Sequence, residues 1–557
     1  MPQVILNILT SRGFADSQSV LNVLEPKLGT LKDPLTILGM DQAVSRLIKA
    51  HKAQEKICIY ADFDLDGTSG LALLEKGLSA LGFANLVYYQ PKRLTEGYGF
   101  HPEVVSELKE QQVSLIITVD VGITAFKACD KANELGIDVI LTDHHQPAES
   151  LPKAFVVVNP NQRGCTSQLK YLCGAGVAFY LLRAIKRGLV DQALIDERCL
   201  DLRSVLDCFT IATLTDMVPI IEDNRVLVKA GLKELEQTRR PGLRALLESL
   251  DMQDRPLSSQ DVSIRFAPKL NALSRMENGL LPIDLYLIKD ESLAREAVKK
   301  VLKNNQTRVN LQMDGEKEAL EALATWPHED FVALHSEQFH RGVVGLIATK
   351  VSQAKNRPTF IGSKSPDGQI VGSARGAGEN ELSVLEALES AGSVLDRFGG
   401  HHAAAGFELN EEHWPQFVEL LEAHFEKASK EASVRELSYD AELPVEQVTE
   451  SLMKWFDVIG PFGQSFAVPI LRIQNLQIQS FKELKGGHWK FKLASLDTHR
   501  SFEALWFSPP AKLKAVFAEA NPTQEPVEIL GEIQWNYFAG RKSVQILIRE
   551  MRKLDAN

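Results

Sequence analysis

The sequence predicts an α/β protein of two lobes, a doubly wound parallel sheet and a smaller α/β unit, followed by a C-terminal β-barrel. Three observations carry this. Apolar, β-branched runs alternate with helical stretches up to about residue 160, the pattern of parallel strands joined by crossover helices. Residues 290–324 contain no proline and place Glu, Lys, Arg, Ala and Leu at helical spacing, interrupted at Gly315, as a helix bridging two lobes would. After about residue 435, short strand-like runs recur with turns between them. The expected divisions are a helical preface (1–40), a first α/β domain (41–289), a connecting helix (290–325), a second lobe (326–432) and the barrel domain (433–557).

In chain order, Leu35 to Ala53 reads as an amphipathic helix leading into the first strand. That strand, Ile57-Cys58-Ile59-Tyr60-Ala61, runs into Asp62-Phe63-Asp64-Leu65-Asp66-Gly67. While the chain stays extended, three aspartates at every second position share one face. Like charges that close repel strongly in a low dielectric, and carboxylate oxygens suit Mg²⁺ or Mn²⁺. A solvated acidic turn is the plain alternative, but two more strands end in the same way. Leu115 to Val119 delivers Asp120 and Gly122, and Val139 to Thr142 delivers Asp143-His144-His145. Ligands of open α/β sheets bind at the carboxyl ends of the strands, so these acids and imidazoles make one cluster.

Between them, Ser69 to Leu81 reads as the crossover helix and Leu86 to Gln90 as the next strand. Pro91 to His101 is a loop carrying Lys92, Arg93, Glu96 and Tyr98, well placed for substrate. Cys173-Gly174-Ala175-Gly176 opens an apolar helix, suited to close packing or to a phosphate nest. Asp216 ends the apolar run Val205 to Leu214 just before Pro219, where a helix cap and a metal ligand are both open readings. In the second lobe, Phe331 to Leu334 is a strand and His340-Arg341-Gly342 opens a helix. Gly372-Ser373-Ala374-Arg375 ends another strand, and Gly399-Gly400-His401-His402 is a glycine-rich segment with paired histidines. Arginine, serine hydroxyl and glycine-exposed amides together suit a phosphate.

The barrel strands are expected at Ile470 to Ile473, Trp489 to Leu493, Ser501 to Phe507, Val527 to Leu530 and Ser543 to Arg549. Two readings stand for Lys482, Lys485, Trp489, Lys490, Phe491, Lys492, Trp535, Tyr537, Arg541 and Lys542. They form either a surface that follows a single nucleic-acid strand by charge and stacking, or a barrel core with a lysine-rich exterior.

Composition narrows the classes. A net charge of −11 argues against non-specific coating of nucleic acid but leaves room for a local basic channel. There is no apolar run of the roughly 18 residues a membrane span needs, and the N-terminus lacks a basic signal region, so a cytoplasmic location is expected. All six cysteines lie in the first 208 residues without a C-x-x-C pair, which points to reduced thiols rather than a zinc ribbon or a disulfide framework.

Together, Asp62-x-Asp64-x-Asp66-Gly67, Val119-Asp120-x-Gly122, Asp143-His144-His145 and Thr215-Asp216 resemble the four motifs of the DHH phosphoesterases. Gly399 to Gly406 resembles the signature of the associated second lobe. Pro91 to Gly99, Asn159-Pro160-Asn161, Cys173 to Gly176 and Gly372 to Arg375 are similar to signatures of the single-strand-specific exonucleases within that family.

The resemblance implies a two-lobed DHH phosphoesterase with an OB-like barrel and two Mn²⁺ or Mg²⁺ ions per chain. Asp120 would bridge the ions, and Asp62, Asp64, Asp66, His144 and Asp216 would complete their shells. His145 would be a ligand or touch the scissile phosphate, and His401 would face the metals across the cleft. Arg93, Ser373 and Arg375, with Lys269 or Arg275, would hold a terminal 5′ phosphate, and Tyr98 would stack on a base. The implied activity is 5′→3′ exonuclease action on single-stranded DNA in repair and recombination. A helicase and a single-strand-binding protein are the implied partners, and a monomer is expected. The rivals are a DHH phosphodiesterase of short oligoribonucleotides or cyclic dinucleotides, and a non-catalytic replication scaffold. Residues 267–275, 376–378 and 461–466 differ from the family pattern.

Overall fold

The computed structural model describes residues 1–276, 279–377, 382–428, 437–485, 487–507, 509, 526–538 and 541–553. Gly378 and the first residues of the 433–557 segment lie outside them.

The first sheet is built from β1 (Ile57–Ala61), β2 (Leu86–Tyr89), β3 (Leu115–Val119), β4 (Asp138–Thr142) and β5 (Val156–Val158), all parallel in the order β2-β1-β3-β4-β5. Both faces are covered. Ile57, Ile59 and Ala61 enter one apolar core, while Cys58 and Tyr60 enter another on the opposite face. This explains why the strands read as unbroken apolar runs. The order reverses between β1 and β3, the place where doubly wound sheets bind ligands, and Asp62 and Asp120 follow those two strands.

Helix boundaries differ from expectation at two instructive places. The helix before β1 is Met40–Ala53 rather than starting at Leu35, because Pro34 opens a separate 3₁₀ turn and Gly39 takes φ 84° before the first turn. The crossover helix is Leu65–Ala80, four residues earlier than Ser69. Asp64 caps it, its carboxylate accepting from the Asp66 and Gly67 amides at 2.8 and 3.1 Å. The three aspartates therefore do not share a strand face, and Asp66 sits in the first helical turn.

The helix Glu291–Ala322 crosses to the second lobe, and Asp290 caps its start. Gly315, the interruption, lies where a Cβ would come within 2.4 Å of Ile347 Cδ1, so the glycine admits the helix Val344–Lys355. The second sheet comprises β6 (Val332–Ser336), β7 (Thr359–Lys364), β8 (Gln369–Arg375), β9 (Arg397–His401) and β10 (Ala404–Asn410), in the order β6-β7-β8-β10-β9.

In the last segment β11 (Ala441–Glu442) precedes five strands, β12 (Leu471–Leu484), β13 (His488–Ser495), β14 (Ser501–Trp506), β15 (Val527–Phe538) and β16 (Arg541–Lys553). Pairing of β12 with β15 closes those five into a barrel. Trp489 and Phe491 are buried in its core, so they are not a stacking surface. Lys490 and Lys492 alternate with them and point outward, the ordinary period of a half-buried strand. The Arg541 side chain lies outside the described ones. The two N-terminal helices, Gln3–Ser11 and Ser17–Leu24, pack into this same core through Val4, Ile5, Ile8, Leu9 and Val23, and Arg12 is ion-paired to Asp440 at 2.7 Å. The barrel docks on the first domain through residues 459–464: Ile220 N–H donates to the Gln464 carbonyl at 2.8 Å and Arg225 to the Pro461 carbonyl at 2.9 Å. No helix among the described residues is long and apolar enough to cross a membrane.

Candidate active site

The carboxyl edge of the first sheet gathers the acids and imidazoles. Asp62 leaves β1, Asp120 leaves β3 and Asp143-His144-His145 leaves β4. Asp216 arrives from the C-cap of the helix Leu206–Thr215, so it both ends that helix and reaches the cluster. His144 Nε2 lies 3.2 Å from Asp120, 3.6 Å from Asp216 and 3.7 Å from Asp66. Three overlapping groups place their ligand atoms within 4.8 Å of one another: Asp62, Asp64 and Asp120; Asp66, His144 and Asp216; and Asp120, His144 and His145. Asp120 belongs to two of them.

The backbone is shaped for this. Asp120 is buried and takes φ 61°, a left-handed pose that aspartate tolerates better than most residues. A Cβ on Gly67 would meet the Asp62 carbonyl at 2.4 Å, so glycine allows the turn after β1 to fold back on itself. The Cys173-Gly174-Ala175 helix start is indeed an anion nest, but its anion is internal. The Gly174 and Ala175 amides donate to the two Asp66 oxygens at 2.6 and 2.8 Å.

Electrostatics show what the cluster lacks. Burial first, then repulsion from neighbouring aspartates, drives the carboxyls of Asp62 and Asp120 well above the ordinary range. The same causes raise Asp66 to about 6 and Asp216 to about 9. Burial and the charge of His145 lower His144 to about 4. Burial opposes a charge on His145, yet its 2.7 Å hydrogen bond with Asp143 and the nearby carboxylates raise it to about 9. Asp62 Oδ1, Asp120 Oδ1, His144 Nε2 and Asp216 Oδ2 are buried and make no hydrogen bond to the protein. Buried oxygen ligands and an imidazole nitrogen, mutually repelling and unsatisfied, fit divalent cations of the Mg²⁺ and Mn²⁺ type.

A stability consequence follows. A carboxyl raised on folding keeps its proton after the unfolded chain has lost its own, so the metal-free fold loses stability as pH climbs from the ordinary value of 3.8 towards about 9 at Asp216. Metal binding competes with those protons. At one fixed Mn²⁺ concentration the apparent dissociation constant falls as those protons leave, so the rise in melting temperature caused by Mn²⁺ should be larger at about pH 8.5 than at about pH 6; the stabilisation is ~2.7 kcal/mol where free Mn²⁺ stands at ~100 times that constant. Thermal melts with and without Mn²⁺ test this, and equal rises at both pH values would contradict it.

Several positioning roles were not legible in the sequence. Asp143 accepts from the amides of Ile123, His144 and His145 as well as the His145 ring, which fixes both histidines. Asn159 and Asn161 donate to the carbonyls of His145 and His144 at 2.9 and 2.6 Å. Gln90 donates to the Asp62 carbonyl and to Thr68.

A cationic pocket adjoins the acids. The Arg93 guanidinium lies 5.1 Å from the ring of Phe63, the residue between Asp62 and Asp64. Burial and the charges of Arg93, Arg308 and Arg375 lower Arg275 to about 9. Arg375 is lowered by burial and by Arg93, and it donates to Ser373 Oγ at 2.7 Å. Arg308, on the connecting helix, is held by Asn305 and Gln312, both neutral, at 2.7 and 2.6 Å. Clustered guanidinium groups of this kind are stabilised by an anion such as phosphate. Lys269 is one step removed, its charged neighbours being Arg308 and Arg265.

Tyr98 stands edge-on to His145 at 5.9 Å, with its hydroxyl 3.5 Å from the Asp120 carbonyl oxygen. From the other lobe, His401 stacks parallel to His145 at 6.3 Å.

Residues 56–212 match the N-terminal domain of the DHH family, and residues 329–427 match the DHHA1 domain. With the acid cluster described above, this makes the chain a DHH-family phosphoesterase. Residues 439–550 match the RecJ OB domain. The chain is 31% identical to the single-stranded-DNA-specific exonuclease RecJ of Salmonella typhimurium, over 99% of this chain and 96% of that protein. The corresponding Escherichia coli protein is 30% identical over 98% of this chain and 95% of its own length. RecJ from Thermus thermophilus in complex with Mn²⁺ superposes with a TM-score of 0.80 at 27% identity, covering 99% of this chain and 76% of that one. A second RecJ bound to manganese matches 70% of this chain and 95% of its own, with a TM-score of 0.60 at 33% identity. The chain belongs to the RecJ family of single-stranded-DNA-specific exonucleases.

Proposed function

We propose that this chain is a metal-dependent exonuclease that degrades single-stranded DNA from the 5′ end and releases 5′-mononucleotides. The observation that carries the reading is the junction of the arginine pocket with the acid cluster at Arg93 and Phe63. A terminal phosphate held by Arg93, Arg275, Ser373 and Arg375 leaves the next phosphodiester beside Asp62 and Asp120. Asp62, Asp64, Asp66, Asp120, His144 and Asp216 are the proposed ligands, with Asp120 shared. Two Mn²⁺ or Mg²⁺ ions bound by these residues would offset charge on the phosphoryl oxygens and make water more acidic there.

In the reaction, oxygen from water joins phosphorus, and the bond to the 3′ oxygen of the terminal nucleotide breaks. That oxygen leaves with a proton. The phosphate stays on the shortened strand, so each cut recreates the end group that the pocket reads. His145 and His401, one from each lobe, flank the scissile phosphate, and Tyr98 supports the terminal base. On the barrel, exposed Lys482, Lys485 and Lys492 offer phosphate contacts along the incoming strand. A helicase that supplies single strands and a single-strand-binding protein are the proposed partners, with the enzyme acting as a cytoplasmic monomer in repair and recombination.

A single-stranded oligonucleotide labelled at either end tests the reading in the presence of Mn²⁺. Expected are immediate release of a labelled mononucleotide from the 5′-labelled strand, stepwise shortening of the 3′-labelled strand, and resistance of duplex DNA. Intact DNA with hydrolysis of short oligoribonucleotides or cyclic dinucleotides would move the function to that substrate class. Absence of all cleavage despite Mn²⁺ binding would favour the scaffold.

A further inference from the structure

The turn His340-Arg341-Gly342 of the second lobe touches both first-lobe elements that carry the arginine pocket, the loop of Arg93 and the helix of Arg275. Arg341 reaches across the cleft and donates to the Leu94 carbonyl at 3.3 Å, inside the loop that bears Arg93 and Tyr98. The Arg275 guanidinium donates to the Gly342 carbonyl at 3.1 Å. Gly342 also lies so close to the helix Ala267–Arg275 that a Cβ would come within 2.3 Å of the Arg275 carbonyl oxygen. The Gly342 amide donates to His340 Nδ1 at 3.0 Å, which fixes the turn. Further along, Gly345 lies in the first turn of the helix Val344–Lys355, directly beneath the Arg375–Ser373 pair, where a Cβ would lie 2.8 Å from Arg375 Nη2 and 3.1 Å from Ser373 Oγ. Arg93 and Arg275 come from the first lobe and Ser373 and Arg375 from the second. The pocket therefore exists only while the lobes are held together, and this turn is one place where they meet.

We propose that His340-Arg341-Gly342 is an inter-lobe latch that assembles the terminal-phosphate pocket, with Arg341 as its positioning residue. This rests on the phosphate reading above. Arg341 itself need not touch DNA. It fixes the loop that carries Arg93, and its second neighbour, Glu408 at 3.9 Å, belongs to its own lobe. Loss of the latch lets Arg93 drift from Arg275 and Arg375. That weakens recognition of the strand end and leaves the metal cluster, on the other side of Arg93, unchanged.

The test compares oligonucleotides carrying a 5′ phosphate or a 5′ hydroxyl, cleaved in Mn²⁺ by the full chain and by Arg341→Ala, Arg341→Lys and Gly342→Ala. Arg341→Ala should raise KM for the phosphorylated strand ~5-fold with kcat within ~2-fold, so that the preference for a phosphate end shrinks by the same factor. Arg341→Lys, which still donates, should recover part of it. Gly342→Ala should lose ~10-fold or more, because no flexible side chain can yield to the added methyl. Calorimetric Mn²⁺ binding should match the wild type in both Arg341 variants. Should Gly342→Ala fail to fold, the half-exposed Arg341 still decides. A wild-type phosphate preference that Arg341→Ala keeps in full overturns the latch alone. Equal cleavage of both strands by the wild type overturns the terminal-phosphate reading, and the latch falls with it.

Discussion

Asp120→Ala should lower strand cleavage by at least ~10³-fold, about 4 kcal/mol of activation free energy, while single-strand binding survives. Among the described residues Asp120 is the one carboxylate that belongs to two of the ligand groups, so its loss touches both proposed ion positions. Calorimetry should show weaker Mn²⁺ binding at both. Removing only the charge of a buried acid whose neighbours repel it, as Asp120→Asn does, should also raise the melting temperature of the metal-free protein. A purely structural aspartate would give the opposite sign. Because φ is 61° at this position, alanine adds backbone strain of about 1–2 kcal/mol that asparagine largely avoids. Asp120→Asn therefore separates loss of charge from loss of fold. Turnover near the wild-type rate in either variant would end the assignment of Asp120 as a shared ligand.

The parts of the fold and site that could be read from sequence have a common physical origin. A strand covered on both faces must be apolar throughout, so an aspartate at its end stands out. Asp62, Asp120 and Asp143 were visible for that reason. What could not be read depends on where the chain turns or on partners far away in sequence. Asp66 looked like a third strand-face acid until the cap at Asp64 started the helix at Leu65. Asp216 ends its helix as a cap would; its local pattern leaves cap and ligand open, the family resemblance points to a ligand, and the fold brings its carboxylate to 3.6 Å from His144.

Arg308 lies in a helix rich in Lys, Arg and Glu, where one more charge reads as solvated. Its role beside Arg275 comes from a crossing of elements with no local trace. In the barrel, alternation of Trp489, Lys490, Phe491 and Lys492 fits both a nucleic-acid platform and an ordinary strand, and burial of the two rings decides for the strand. The N-terminal helices join a core formed more than 400 residues later, as the 428-residue separation of Arg12 and Asp440 illustrates, and no periodicity announces such a contact.

Gly174→Ala should be nearly as damaging as loss of a ligand, although it removes no chemical group. In a helix, alanine is favoured over glycine by about 1 kcal/mol, so propensity alone predicts a mildly stabilised enzyme. Packing predicts otherwise. The added Cβ would lie 2.4 Å from Asp120 Cβ and 2.7 Å from Asp120 Cα, beside a backbone already held in a left-handed pose. No rotamer change relieves a contact with Cα. Either Asp120 or the start of the helix must move, and the latter carries the Gly174 and Ala175 amides that hold Asp66. One methyl group thus displaces one or the other of two proposed ligands, Asp120 or Asp66, and displacements near 1 Å in such sites cost ~10²-fold in rate. Expected are a fall in kcat of about that size and a rise in the Mn²⁺ dissociation constant. Gly176→Ala is the control, since its Cβ would meet Leu172 and Phe209 at 3.1 to 3.5 Å and no ligand. If Gly174→Ala binds Mn²⁺ and cleaves DNA like the control, close approach at this glycine serves helix packing alone and the two aspartates tolerate movement.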